Sequence, residues 1–199
     1  MKGKVSNIED EVVSGDRRVA QKGKMTWLAV RTFNCRELEL CDFLKKQGLE
    51  PFVPMVYQEQ AGKKDADGRP QHVMKPVVHN YLFVPRTKSD ELIEAALKES
   101  EYPFRIICQS DSKAYSIISD GEMREFRLLC DPEFEGSIFL TSEEAEAKIG
   151  KNVLVTQGQF AGMKGKLHRV NNKYFFIKNI ANIGVMVRIS RWYCKVIDN

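Results

Sequence analysis

No run in this chain approaches the roughly twenty consecutive apolar residues that a membrane-spanning helix needs. The first 24 residues, MKGKVSNIEDEVVSGDRRVAQKGK, are polar and hold no apolar core of the kind a secretory signal requires. Both absences point to a cytoplasmic protein. Histidine is scarce: His72, His79 and His168 stand far apart and form no ligand cluster. The five cysteines, Cys35, Cys41, Cys108, Cys130 and Cys194, are odd in number and scattered, and no pair has C-x-x-C spacing. That pattern suits neither a zinc site nor a disulfide framework, and it fits reduced structural thiols. A glycine-rich phosphate loop and a nucleophile triad are also missing. The expectation is a protein that is not an enzyme and carries no metal or cofactor.

What is present is an ordinary globular composition with an uneven charge. Of 199 residues, 43% are apolar and 29% charged, enough for one large domain or two small ones. The net charge of +4 conceals a division. Residues 151–199 carry nine Lys/Arg and a single acid, Asp198, whereas the rest of the chain has more acids than bases. A small basic unit behind an acidic remainder predicts two domains, with an acidic or polyanionic partner for the second.

Along the chain, residues 1–24 lack periodicity and are expected to be disordered. TWLAVRTF (26–33) reads as a strand. Asn34 is expected to cap a helix that ends at Gly48. PFVPMVYQE (51–59) reads as a strand whose two prolines put it at an edge. Residues 60–73 read as a hairpin tip, and PVVHNYLFV (76–84) as a third strand. Ser89 caps a second helix, FRIIC (104–108) is a fourth strand, and Ser119 with Glu122 forms a capping box opening a third helix. The order βαββαβ followed by a helix predicts an α+β fold over 25–130, a ferredoxin-like (split βαβ) antiparallel sheet with helices packed on it. Residues 131–150 hold six acids and one lysine and read as a linker.

Beyond Gly150 the pattern is all β. NVLVT, KGKLHRV, KYFFIKNI, GVMVRIS and YCKVI are short strands separated by Gly and Asn turns, and they predict a small barrel over 151–199. The β-branched and aromatic content favours strands over helix throughout. Within TQGQFAGMKGKLHRV (156–170), Gly158, Gly162 and Gly165 mark turns or close backbone approaches, and Phe160 is expected to tuck into the core. The spacing from Val153 to Leu167, with Gly158, Phe160, Gly162 and Gly165 between them, matches the KOW motif.

A sheet-and-helix domain, a linker and a C-terminal KOW barrel together resemble the NusG/RfaH family of transcription elongation factors over roughly residues 26–197. HNYLFV (79–84) looks like the central strand of that family's N-terminal (NGN) domain, and Trp27 and ISDGEM (118–123) fit as well. NYLFV is closer to the RfaH-like specialised paralogues. By overall likeness the chain is most similar to the UpxY-type antiterminators of capsular polysaccharide operons.

The resemblance implies docking on the clamp helices of RNA polymerase, suppression of pausing and read-through of long operons. It implies that Tyr81 and Phe83, which alternate on one strand, are exposed aromatic anchors for polymerase; the residues alone leave open that both are core. The family's threonine-rich contact has no counterpart, since the corresponding stretch reads LIEA (92–95). Arg31 and Arg36 are candidates for contacting non-template DNA. Ile180 and Ile183, in NIANIG, are candidates for the barrel surface that in this family meets Rho or a small-subunit ribosomal protein. Lys164, Lys166 and Arg169, with the other bases of the barrel, offer nascent RNA as another partner. The alternative function is an RNA-binding KOW module of ribosomal or RNA-processing type, although HNYLFVPR lacks the glycine and basic pattern of an RNA-binding RNP1 strand.

Overall fold

A computed structural model describes residues 25–198, apart from 65, 110–111, 133–136 and 181–182. The stretch 1–24, expected to be disordered, lies outside the described residues. The chain is an α+β protein built on antiparallel sheets. Strand β1 (Thr26–Thr32) is the spine of the first. It pairs on one side with β4 (Tyr81–Pro85) and on the other with two short strands, β5 (Phe104–Ile106) and β6 (Ile117–Ser119).

Side chains alternate across a strand, so β1 has two faces. Leu28 and Val30 join Leu82 and Val84 of β4 against α1 (Glu37–Lys46) and α2 (Asp90–Lys98), whose Leu40, Leu44, Ile93 and Leu97 are fully buried. Burying one such side chain is worth about 1.5–3 kcal/mol. The opposite face carries Trp27, Ala29 and Arg31, and α3 (Asp120–Leu129) lies over its first half. Local signals place both later helices: Ser89 caps α2, and Ser119 with Glu122 closes a reciprocal capping box on α3.

Three segments depart from the sequence reading. Asn34 does not cap α1. Asn34 and Cys35 both have left-handed backbones (φ 59° and 53°), the Cys35 N–H donates to Asn80 Oδ1 at 2.8 Å, and the helix starts only at Glu37. The second and third expected strands do not simply join the sheet. Phe52 makes a single bridge to Phe83 between Pro51 and Pro54, after which β2 (Met55–Lys64) and β3 (Pro70–Pro76) form a separate two-stranded arm. A turn at 77–80, with Asn80 at φ 65°, separates β3 from β4.

The third departure is the expected linker, which contains β7 (Ile138–Thr141) and α4 (Ser142–Ala147), the latter opened by its own capping box at Thr141 and Glu144. Strand β7 is an edge of a six-stranded antiparallel sheet. The other five strands are β8 (Lys151–Val155), β9 (Lys164–Val170), β10 (Lys173–Ile180), β11 (Ile183–Arg188) and β12 (Cys194–Val196), in the order β12-β8-β9-β10-β11-β7. Among the described residues of 151–197, five strands joined by turns and one 3-10 turn at Arg191–Tyr193 make up the chain, in keeping with its β-branched and aromatic content.

The glycines of 156–170 behave as their spacing suggests. Gly158 and Gly162 have left-handed φ of 78° and 91°, and Phe160 between them is buried. Gly165 is needed for a different reason. A Cβ there would lie 2.5 Å from the Ile177 carbonyl oxygen and 2.6 Å from the Phe176 ring.

The two sheets meet through α3. Lys178 of β10 forms an ion pair with Glu125, the Ser137 hydroxyl donates to the Leu129 carbonyl at 2.8 Å, and the apolar cluster around Phe126 runs on into the second sheet. Among the described residues, no helix is long and apolar enough to cross a membrane.

Candidate functional site

The face of the first sheet that α3 only half covers carries aromatic, aliphatic and cationic side chains in successive rows. In register, Trp27 stands opposite Pro85, Ala29 opposite Phe83 and Arg31 opposite Tyr81. Phe83 lies under the helix. Its ring meets Phe126 at 5.1 Å and Phe52 at 6.3 Å, and its exposure is 0%. The expectation that Phe83 is an exposed anchor is therefore corrected: α3 lays Met123, Phe126 and Leu129 over that half of the sheet and closes it.

Tyr81 precedes Phe83 by two residues on the same face and is only half buried. With Arg31, Val77, Val78 and His79 it forms one wall of a groove of about 780 Å3, whose other wall comes from Phe139–Glu144 and Ile183. Apolar contacts fill the covered end, and Tyr81 with Arg31 holds the open end.

The charged candidates fall in different places. Arg31 is exposed on this face, 5.9 Å from the Phe33 ring. Arg36 lies at the start of α1, where its guanidinium donates to Glu39 at 2.6 Å and holds that carboxyl below its ordinary range. Lys164 is exposed on β9. The Lys166 ammonium is engaged: it donates to the carbonyls of Ala145, Glu146 and Lys148 at 3.0–3.3 Å, closing the C-terminal end of α4. Arg169 donates to Asn172 at 2.8 Å and stacks over Tyr174 at 5.4 Å. Ile180 and Ile183, expected at the barrel's partner surface, are buried where they end the paired strands β10 and β11.

Three residues went unremarked in the sequence. Arg105 pairs in register with Arg31, which the alternation in FRIIC allows but does not announce. Arg127 of α3 lies over both the Trp27 ring, at 4.6 Å, and the Phe52 ring, at 4.9 Å. Trp192 is 87% exposed, close in sequence to Tyr193 and Arg188, which line a recess of about 300 Å3 with Gln157–Phe160. A tryptophan in a short polar turn was the available signal for it.

All five cysteines are free, and burial pushes the thiols of Cys41, Cys130 and Cys194 upward. Among the described residues, no group of three His, Cys, Asp or Glu side chains is placed to hold a metal ion.

The sequence model of one family, described as transcription termination factor NusG, matches residues 25–127. That span covers the first sheet, the β2–β3 arm and nearly all of α3. No curated protein sequence matches the chain.

Proposed function

Because this chain belongs to the NusG family, whose members bind RNA polymerase, we propose that it is a specialised antitermination factor that docks on the polymerase clamp helices and promotes read-through of long operons. The family match over residues 25–127 carries the reading, since it falls on the part of the chain that supplies the Tyr81 wall of the groove. Residues 25–130 act as the family's ferredoxin-like NGN domain. Tyr81 is the aromatic anchor at the open end of the groove, and Phe83 supports it from the core. Residues 151–199 act as a KOW barrel that meets Rho, a small-subunit ribosomal protein or nascent RNA. The likeness of NYLFV to specialised paralogues, and the overall likeness to UpxY-type proteins, favour capsular or surface polysaccharide operons as targets. The protein works in the cytoplasm, on the transcription complex, and is not an enzyme.

A second reading is an RNA-binding module. Trp192, nearly fully exposed on a strongly basic unit, is suited to base stacking. The two separate in one pair of measurements, polymerase pull-down and RNA filter binding. The antitermination reading expects polymerase binding that is lost in Tyr81→Ala. The RNA reading expects no polymerase binding, and an affinity for single-stranded RNA that falls with a log–log salt slope of about −2 for three phosphate contacts. A full-length protein that binds neither polymerase nor a transcribing complex overturns the first reading.

A further inference from the structure

Strands β1 and β5 set Arg31 directly opposite Arg105. Partners in an antiparallel ladder stand about 5 Å apart, and like charges so placed repel one another. Among the described residues, no carboxylate neutralises this pair. Arg36, Arg86 and Arg124 each have a carboxylate on or beside their own helix, at 2.5–2.7 Å. Arg31 and Arg105 are both exposed, and among the described residues neither has an acidic partner. Between them opens a recess of about 400 Å3, lined also by Gln109, Ser112 and Lys113 and, among the described residues, by no carboxylate. Arg31 lines this recess and the Tyr81 groove alike, so the cationic recess and the groove adjoin at its side chain.

We propose that Arg31 and Arg105 together receive a carboxylate side chain of the polymerase segment that docks in the Tyr81 groove, and so act as the charge-reading element of that interface. This rests on the docking function proposed above. Two guanidinium forks side by side match the two oxygens of one carboxylate, with Lys113 adding a third positive charge at the rim. Tyrosine and arginine side by side are the residue types enriched at the energetic centres of interfaces. A single carboxylate suits the surroundings better than a nucleic-acid strand does. The far wall of the groove carries Glu143 and Glu144, which repel a track of phosphates more than they repel one acidic side chain bound at the two arginines. Repulsion between the two cations is then relieved only in the complex, which favours a partner with an acid at that point over one without.

The test uses the full-length chain and core RNA polymerase. The variant Arg31→Gln with Arg105→Gln is expected to lose at least about thirtyfold in polymerase affinity while its melting temperature stays level or rises. The variant Arg31→Lys with Arg105→Lys, treated with a carbodiimide in the complex, is expected to form an amide to an Asp or Glu in a polymerase peptide. Should the Gln pair bind polymerase normally while Tyr81→Ala does not, the charge-reading role is overturned and docking stands. If both variants bind normally, docking through this face fails, and this proposal fails with it. If the Gln pair keeps polymerase but loses a single-stranded DNA oligonucleotide that the native chain binds, the site takes phosphate and the carboxylate assignment is wrong.

Discussion

Phe83 and Phe126 meet edge to face, 5.1 Å between ring centres, where α3 crosses the four-stranded sheet. Their contact divides one strand into two roles, because Tyr81 on the same face lies beyond it. Phe83→Ala should destabilise the fold by about 3–5 kcal/mol through the cavity it leaves. Tyr81→Ala should change folding stability by less than about 1 kcal/mol and act on polymerase binding instead. Urea unfolding of the two variants measures the difference; equal losses would mean that Tyr81 is also core.

Gly165→Ala tests the close approach of β9 to β10. The added methyl would sit 2.5 Å from the Ile177 carbonyl oxygen, and backbone cannot yield as a flexible side chain can. A loss of about 1–3 kcal/mol is expected, the usual range for overpacking. Thermal unfolding should register it in the second sheet. A stable Gly165→Ala protein would show that the strands can separate at little expense.

The capping box of α3 gives a pH-dependent prediction. The Ser119 N–H and hydroxyl, at 2.9 and 2.8 Å, hold the Glu122 carboxyl below its ordinary range. A lowered folded-state value means stability that is present above the unfolded value of about 4.3 and lost as pH falls through the folded one. Glu122→Gln should therefore flatten the decline of stability below pH about 4.3. Ser119→Ala should cost about 1 kcal/mol at neutral pH. Unfolding curves across pH 3–7 check both; an unchanged acid limb in Glu122→Gln would exclude the carboxylate as a contributor.

Lys166→Met should release the end of α4, since three carbonyls lose their donor. The expected loss is about 1–2 kcal/mol. Faster amide exchange across 142–150 should accompany it. A change confined to RNA affinity, with α4 undisturbed, would instead favour a binding role for this lysine.

Much of the chain is legible where the signals are local. The caps at Ser89 and Ser119, the β-rich pattern after Gly150 and the glycine spacing around Phe160 all rest on neighbours within a few residues, and the structure has each of them. What failed depends on distant partners. Alternation shows that Tyr81 and Phe83 share a face, but it cannot say how far along that face a later helix will reach. Ile138–Thr141 reads as linker because its acidic surroundings hide four residues whose pairing partner, β11, lies more than forty positions away. Arg105 is ordinary in FRIIC and becomes notable only when Arg31 is set against it.

The absorption of β7 and α4 into the second sheet also shortens the tether between the two halves of the molecule. The covalent link that remains runs from Cys130, just after α3, to Ile138, eight steps that extend to at most about 28 Å, and the contacts of α3 with β10 hold the halves together besides. A twenty-residue leash over 131–150 would have let the halves wander more than twice as far. Any macromolecule gripped by the second half is thereby kept within a small radius of whatever the first half holds, and meets it at a correspondingly high effective concentration.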